Sequence, residues 1–330
     1  MPLTPELAAL GLSIEDVECH AGSLALESYG GERPTSTVWL RGAGAAGRGE
    51  HVGWTPEAHA AFRGAVASVP RGRWRLDEWV GAMARAFAHP YDRAALEAAA
   101  IDLGLRQAGT NLFRLLAVRP QPVRYVVSYG RVADPAAEAR RHPGVELKID
   151  ADAGWSDDVY RALAVLGRVR VLDFKGHGDA RALERARRAL PDVLIEDPPP
   201  GTSPGGRVSF DASIRRAADV ATLPFRPAAV NLKPARMGGV LEVLGCAALC
   251  ADAGIGVYMG GMFEVGAGRA QLRTLAALLC PDATNDIAPL AGGARRAGGT
   301  PPAGGTLPAG GRPPARLPVD ASEAVFGGEA

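Results

Sequence analysis

The chain reads as an α/β protein, a (β/α)8 barrel behind a smaller α+β unit. Three observations in its 330 residues predict this. After Pro120, β-rich runs recur eight times, separated mostly by Ala/Leu/Arg-rich helical stretches. The segments between the runs have crossover length, so successive strands pair in parallel. Before Pro120 the texture differs, with a strand meander followed by helical patterns.

Taken in order, residues 12–54 predict the meander. The runs 24–29 and 36–40 flank a Gly30-Gly31 turn, and a second Gly-rich turn follows. Residues 56–116 are helical in pattern; the strongest helix is predicted over 92–116, with Asp92 as N-cap and Leu96, Ala99, Leu103 and Gln107 on one stripe. Barrel strands are expected at 124–129, 145–150, 169–175, 193–197, 208–211, 228–233, 254–259 and 284–288. The run Pro198-Pro199-Pro200-Gly201-Thr202-Ser203-Pro204-Gly205-Gly206 cannot form a helix, so the fourth crossover is expected to be a loop. Residues 291–318 hold 8 Gly and 6 Pro in 28 positions. Such a stretch cannot bury enough surface to offset its ordering entropy, which predicts a flexible or extended tail. The expected division is an N-terminal domain over 1–118, a barrel over 119–290 and a Gly/Pro-rich tail over 291–330.

Composition narrows the function classes. Apolar residues make up 47% of the chain, charged residues 22%, and the net charge is +1. A large core follows, and nothing in the charge balance points to nucleic acid. No apolar run approaches the roughly 20 residues a membrane span requires, and the N-terminus lacks a basic-then-apolar leader pattern. Cys19, Cys246, Cys250 and Cys280 show neither a CxxC pair nor zinc-ligand spacing. The expectation is a cytoplasmic homo-oligomer with no nucleic-acid or membrane partner.

The informative bias lies within the basic residues. Of 37 Lys+Arg only Lys148, Lys175 and Lys233 are lysines. All three fall at the C-terminal ends of predicted barrel strands, where barrel enzymes place their chemistry. Asp173, Glu196 and Asp211 end strands three, four and five in succession. Singly, a strand-end carboxylate reads as a loop cap or ion-pair partner. Three aimed at one point repel one another, and a hard divalent cation such as Mg²⁺, with Mn²⁺ as the alternative, relieves that repulsion. Lys148 and Lys233 lie across the barrel from each other and could face opposite sides of a substrate carboxylate. Arginine cannot replace a proton-transferring lysine, because it stays protonated.

These residues resemble the enolase superfamily, on its muconate lactonizing enzyme and o-succinylbenzoate synthase side. The matching blocks are Ala95-Leu96-Glu97-Ala98-Ala99-Ala100-Ile101-Asp102-Leu103, Leu194-Ile195-Glu196-Asp197-Pro198 and Phe210-Asp211-Ala212-Ser213. Further on come Asn231-Leu232-Lys233-Pro234-Ala235-Arg236-Met237-Gly238-Gly239 and Gly260-Gly261-Met262-Phe263-Glu264. The resemblance implies a modified (β/α)7β barrel under an N-terminal α+β capping domain. It implies Mg²⁺ ligands at Asp173, Glu196 and Asp211, and an acid/base pair at Lys148 and Lys233, as this superfamily uses a lysine or histidine base with Mg²⁺. Asp150, Asn231 and Glu264 are candidate substrate contacts, with Arg269 beside them. Two departures stand out. Lys148-Ile149-Asp150 replaces the usual Lys-x-Lys, and Lys175 holds the position usually taken by asparagine. Strand alternation puts Lys175 on the face of Asp173, as a third acid/base group, a carboxylate binder or a partner of Asp150.

The leading expectation is a Mg²⁺-dependent lyase or isomerase that abstracts a proton α to the carboxylate of a small substrate through a metal-stabilised enediolate. Racemisation or epimerisation, dehydration or other β-elimination, and cycloisomerisation all remain open. A Schiff-base lysine lyase would leave the three carboxylates unexplained. A catalytically silent relative would bind metal or carboxylate without turnover.

Overall fold

The computed structural model describes residues 5–26, 31–141, 143–201, 205–288, 315–319 and 326. The helix α1 (Pro5–Ala8) leads into β1 (Gly11–Ile14), β2 (Asp16–Leu26), β3 (Gly31–Gly42) and β4 (Ala45–His51). Strands β2, β3 and β4 form an antiparallel meander, and β1 pairs antiparallel with β5 (Gly72–Arg75). The predicted Gly30-Gly31 turn, with residues 27–29 of its first strand, lies outside the described residues apart from Gly31, which opens β3. The helices α2 (Pro56–Ala65), α3 (Leu76–Ala86) and α4 (Pro90–Gln107) complete this domain.

The long helix predicted over 92–116 divides into α4 and α5 (Leu112–Leu115). The break is a turn in which Gly109 takes a left-handed φ of 61° and Thr110 N–H reaches back to the Leu105 carbonyl at 3.0 Å. His89, not Asp92, caps α4: its Nδ1 accepts from Tyr91 N–H at 3.2 Å, with Pro90 in the first turn. Burial on α4 is nearly continuous from Ala94 to Leu105 rather than one stripe. The helix packs against β3 and β4 on one side and against barrel helices on another. Glycines in β4 allow that approach. A Cβ at Gly49 would stand 1.8 Å from the Ala95 carbonyl oxygen, and one at Gly47 2.2 Å from that of Ala99.

The barrel strands are β6 (Val127–Tyr129), β7 (Leu147–Asp150), β8 (Val169–Asp173), β9 (Leu194–Glu196), β10 (Val208–Phe210), β11 (Ala229–Leu232) and β12 (Gly256–Met259), all parallel and paired in chain order. The helices α6 (Pro135–Arg141), α7 (Asp157–Leu166), α8 (Ala180–Ala189), α9 (Pro234–Met237), α10 (Val240–Asp252) and α11 (Ala267–Leu279) lie between or after them. Among the described residues no helix joins β9 to β10, as the proline run predicts, and only a 3₁₀ turn, Ala217–Thr222, precedes β11.

The expected eighth strand is reduced to two parallel bridges, Tyr125 to Asn285 and Gly260 to Asp286. The Asn285 side chain does the work of a ladder. Its Oδ1 accepts from Met259 N–H at 2.8 Å, and its amide donates to the Arg124, Cys280 and Ala283 carbonyls at 3.0, 2.9 and 3.1 Å. Residues 285–286 thereby link the first and last strands, giving the (β/α)7β arrangement under a capping domain.

Most of the expected flexible tail lies outside the described residues. At its two described points the tail is anchored instead: Leu317 pairs with Val123, and Phe326 is fully buried, its carbonyl accepting from Leu112 N–H at 3.3 Å. Apolar residues spaced through the Gly/Pro composition supply these anchors. Among the described residues no helix is long and apolar enough to cross a membrane.

Two buried charges stitch the capping domain to the barrel rim. Glu50, from β4, accepts from the backbone N–H groups of Val265, Gly266 and Gly268 at 2.7, 2.8 and 2.9 Å, and from Thr35 Oγ1 at 2.9 Å. It thereby satisfies the N-terminal donors of α11. Arg33, from β3, donates to the carbonyls of Val52 at 2.7 Å and Met262 at 3.1 Å, and to that of Gly53. Behind this seam His51 stacks on Phe62 and meets Asp92 through Nε2 at 2.9 Å. His59 donates from Nε2 to the Gly53 carbonyl at 3.0 Å, and its Nδ1 faces Ser36 Oγ at 3.0 Å and His51 Nδ1 at 3.2 Å.

Glu50→Ala strands three buried N–H donors and should cost on the order of 3–5 kcal/mol, read as a lower urea midpoint. A loss under about 1 kcal/mol would mean that the seam does not depend on this carboxylate. Burial, then the charge on His51, depresses His59 from 6.5 to about 4. Unfolding releases it to take up a proton, so its contribution is full above pH 6.5 and is lost as pH falls toward 4. His59→Phe should flatten that part of the stability–pH curve; an unchanged slope would contradict the assignment.

Candidate active site

The barrel register sets carboxylates side by side. Asp150 at the end of β7 pairs in register with Asp173 of β8, and Asp173 with Glu196 of β9. Asp211 follows β10 by one residue, held there by Asp197, whose two carboxylate oxygens accept from Asp211 and Ala212 N–H at 2.8 and 3.0 Å. Asp173, Glu196 and Asp211 are buried, each with a carboxylate oxygen within 4.8 Å of the others.

Lysines bridge them. Lys148, 1% exposed, places Nζ 2.6 Å from Glu196 Oε1 and 3.2 Å from both Asp173 Oδ2 and Asp286 Oδ2. Lys175 Nζ bonds Asp173 Oδ2 and lies 3.2 Å from Asp150 Oδ1, while its backbone N–H donates to Asp173 Oδ1 at 2.9 Å. Lys233 Nζ donates to Asp211 Oδ2 at 2.8 Å, and Arg236 to Asp211 Oδ1 at 2.5 Å. The second oxygen of Glu196 accepts from the Tyr258 hydroxyl at 2.7 Å, which in turn takes the Ser209 hydroxyl at 3.0 Å.

The electrostatics follow from burial competing with these partners. Burial pushes Glu196 up to about 8; Lys148 opposes the rise, and Asp173 and Asp211 add to it. Asp211 is equally enclosed, yet Lys233, Lys148 and Arg236 outweigh its burial and hold it far below the carboxylate range. For Lys148, burial favours the neutral amine, but Glu196, Asp286, Asp173 and Asp211 hold it well above the lysine range. Asp150 is raised by burial against the pull of Lys175.

The structure brings Lys148, Lys175, Lys233, Asp150, Asp173, Glu196 and Asp211 together. Asn231 is fully buried, and both polar atoms of its amide are without a hydrogen-bond partner. It lies beside the Lys233 stem: a Cβ at Gly260 would stand 2.3 Å from Asn231 Oδ1 and 2.6 Å from Lys233 Cε. Glu264 behaves differently. Its carboxylate turns onto its own loop and accepts from Met262 N–H at 2.8 Å. Arg269 is spent on the Glu264 and Ala288 carbonyls, both at 3.0 Å. These two brace the loop after β12.

Sequence reading missed Arg236, Tyr258, Asp197 and Asp286. Two signals were available: Tyr258 is two residues before Gly260 on an inward-alternating strand, and Asp286 sits mid-run in the eighth predicted strand. Arg236 and Asp197 lie inside the matching blocks but follow no periodicity that singles them out.

Residues 5–115 and 119–292 match the N-terminal and C-terminal models of a family described as a domain of unknown function, DUF8230. The o-succinylbenzoate synthase of Enterococcus faecalis is 31% identical over 177 residues, 52% of this chain and 45% of that protein. The N-succinylamino acid racemase of Thermus thermophilus is 30% identical over 224 residues, 58% of each. The chain thus spans about half the length of the curated relatives it matches. Among solved structures, the dipeptide epimerase of Methylococcus capsulatus, complexed with Mg and the dipeptide L-Arg-D-Lys, superposes with a TM-score of 0.72 at 25% identity, covering 83% of this chain and 89% of that one. The chain belongs to the DUF8230 family, has the fold of the enolase superfamily, and is similar in sequence to an o-succinylbenzoate synthase over about half of its length.

Proposed function

We propose that this chain is a Mg²⁺-dependent isomerase that takes a proton from the carbon α to a substrate carboxylate and returns one to the same carbon. The observation that carries this reading is the buried Asp173–Glu196–Asp211 cluster flanked by the chain's only lysines. The relatives named as a racemase and a dipeptide epimerase support N-acylated amino acids or dipeptides as the substrate class. Elimination is the second reading, favoured by the likeness to an o-succinylbenzoate synthase.

The residues present fit a divalent cation. The donor set is all hard oxygen, buried and convergent, as Mg²⁺ requires, with Mn²⁺ the alternative. Asp173, Glu196 and Asp211 would hold the ion. It would supply Lewis-acid stabilisation of the negative charge that develops on the substrate carboxylate. The chain's residues do the rest. Lys233 stands at the Asp211 flank and moves a proton at Cα from that side. Lys175, on Asp173, and Lys148, between Glu196 and Asp173, stand toward the other end of the cluster, and one of them serves the opposite side. Asn231 offers its unpaired amide beside Lys233 to a substrate oxygen or an ordered water. Asp197 holds the Asp211 backbone in place, and the Tyr258 hydroxyl orients Glu196. A Schiff-base role is disfavoured, because it would leave the buried Asp173–Glu196–Asp211 cluster without a task.

Incubating the Mg²⁺-loaded protein with N-succinyl amino acids and dipeptides in D₂O should give α-deuteration with loss of chirality. Loss of water from a β-hydroxy carboxylate, with a new Cα=Cβ bond and no exchange into the N-succinyl amino acids or dipeptides, would favour elimination. No exchange from a folded protein that binds Mg²⁺ would leave a silent relative. Independently, Glu196→Gln should weaken Mg²⁺ binding by calorimetry at least about tenfold; unchanged affinity would remove Glu196 from the ligand set.

A further inference from the structure

We infer that Lys175, not Lys148, is the lysine that meets the substrate across from Lys233, and that Lys148 is a sealed counter-ion for the carboxylates. This rests on the proton-transfer reading above and assigns its second residue. An ammonium has three donors, and Lys148 has a carboxylate oxygen opposite each of them, from Glu196, Asp173 and Asp286. Its side chain is 2% exposed. Such a group has neither a spare donor nor a path to a ligand.

Lys175 differs on each count. Its side chain is 41% exposed, and Nζ meets two carboxylates, Asp173 and Asp150. It lines a cleft with Asp197, Ala212 and Ser213, residues of the rim loops after β9 and β10. Its backbone is left-handed at φ 53°, a conformation that costs a non-glycine residue on the order of 1 kcal/mol or more. The turn is held by Lys175 N–H on Asp173 Oδ1 and by Gly176 N–H on the Asp197 carbonyl at 2.8 Å. It folds the lysine stem back over the strand ends, so that Nζ returns to Asp173.

The sheet order completes the argument. Asp173, Glu196 and Asp211 come from three neighbouring strands, with Lys175 on the first carboxylate and Lys233 on the last. The two lysines bracket the cluster, and Lys148 bonds its middle member. Asp150 is a positioning residue, holding Lys175 from the neighbouring strand. In the reaction Lys175 enters as the neutral amine and Lys233 as the ammonium: the Cα–H bond on one face breaks, its proton goes to the Lys175 Nζ lone pair, and its electron pair passes into the substrate carboxylate. Lys233 then returns a proton to Cα on the other face, and the reverse direction exchanges the two roles.

Two measurements test this. Reductive ¹³C-methylation of the wild-type, Mg²⁺-loaded protein, read by peptide mass spectrometry, needs neither turnover nor substrate. Lys175 should react at least about tenfold faster than Lys148; equal or reversed rates would overturn the inference. Then Lys175→Ala should keep Mg²⁺ affinity within about threefold and lose α-deuteration of one enantiomer of N-succinyl-phenylalanine by about 10²–10⁴-fold, while the other enantiomer still exchanges through Lys233. Lys148→Ala should weaken Mg²⁺ binding or unfold the site for both enantiomers alike. One-enantiomer loss in Lys148→Ala with intact Mg²⁺ affinity would assign the role to Lys148 and overturn the inference. A wild-type protein that binds Mg²⁺ and exchanges neither enantiomer, nor any other acid, would overturn the proton-transfer reading, and the methylation rates would still decide which lysine faces the cleft.

Discussion

Like-charge repulsion among carboxylates withdrawn from water is the constraint around which this molecule is arranged. Asp150, Asp173, Glu196, Asp197, Asp211 and Asp286 converge on one end of the barrel, where solvent screening is weak. Against these six the chain sets four cations, Lys148, Lys175, Lys233 and Arg236. Partial compensation shows in the contrast between Asp211, which three cations hold ionised, and Glu196, which burial raises despite Lys148. The barrel places these groups by geometry alone: parallel strands in register bring their C-terminal ends to a common rim.

The rim is also where the backbone is least relaxed. Lys175, Asp197 and Phe263 all take left-handed φ values just beyond β8, β9 and β12. Such conformations persist only where surrounding contacts over-determine them. The capping domain contributes here through Glu50, which binds the start of α11, and Arg33, which holds the Met262 carbonyl. The 52–54 segment is thereby clamped between the His51–His59 network and the loop after β12. Site and seam share that loop, so disturbing the cap will be felt at Gly260 and the Lys233 stem that it touches.

Much of this was legible in the sequence, because the barrel's signal is local. A β-rich run followed by a crossover-length segment marks each strand, and the scarcity of lysine singles out Lys148, Lys175 and Lys233 in the sequence alone. What stayed hidden depends on long-range contacts or on backbone detail. Alternation predicted that Lys175 would share a face with Asp173; it does reach Asp173, but through a left-handed turn that periodicity cannot encode. Aspartate is a strong N-cap, so the pattern predicts Asp92 as the α4 cap, yet His51 claims that carboxylate from 41 residues away in the chain. Glu50 carries no signal in the sequence, since three of its four partners are backbone N–H groups more than 200 positions downstream. Glu264, a candidate substrate contact from the Gly260–Glu264 block, accepts instead from Met262 N–H on its own loop, a contact that no sequence pattern encodes.

Asp173, Glu196 and Asp211 are proposed to hold one divalent cation together beneath the lysine-flanked rim. A crystal structure of the Mn²⁺-loaded protein, with anomalous diffraction to locate the ion, tests it directly. A single strong anomalous peak is expected, bonded to one oxygen of each of the three carboxylates, with Lys233 and Lys175 at its two flanks and Lys148 still enclosed beneath. A Mn²⁺ ion bound elsewhere, or three carboxylates still bridged by lysines in saturating Mn²⁺, would contradict it.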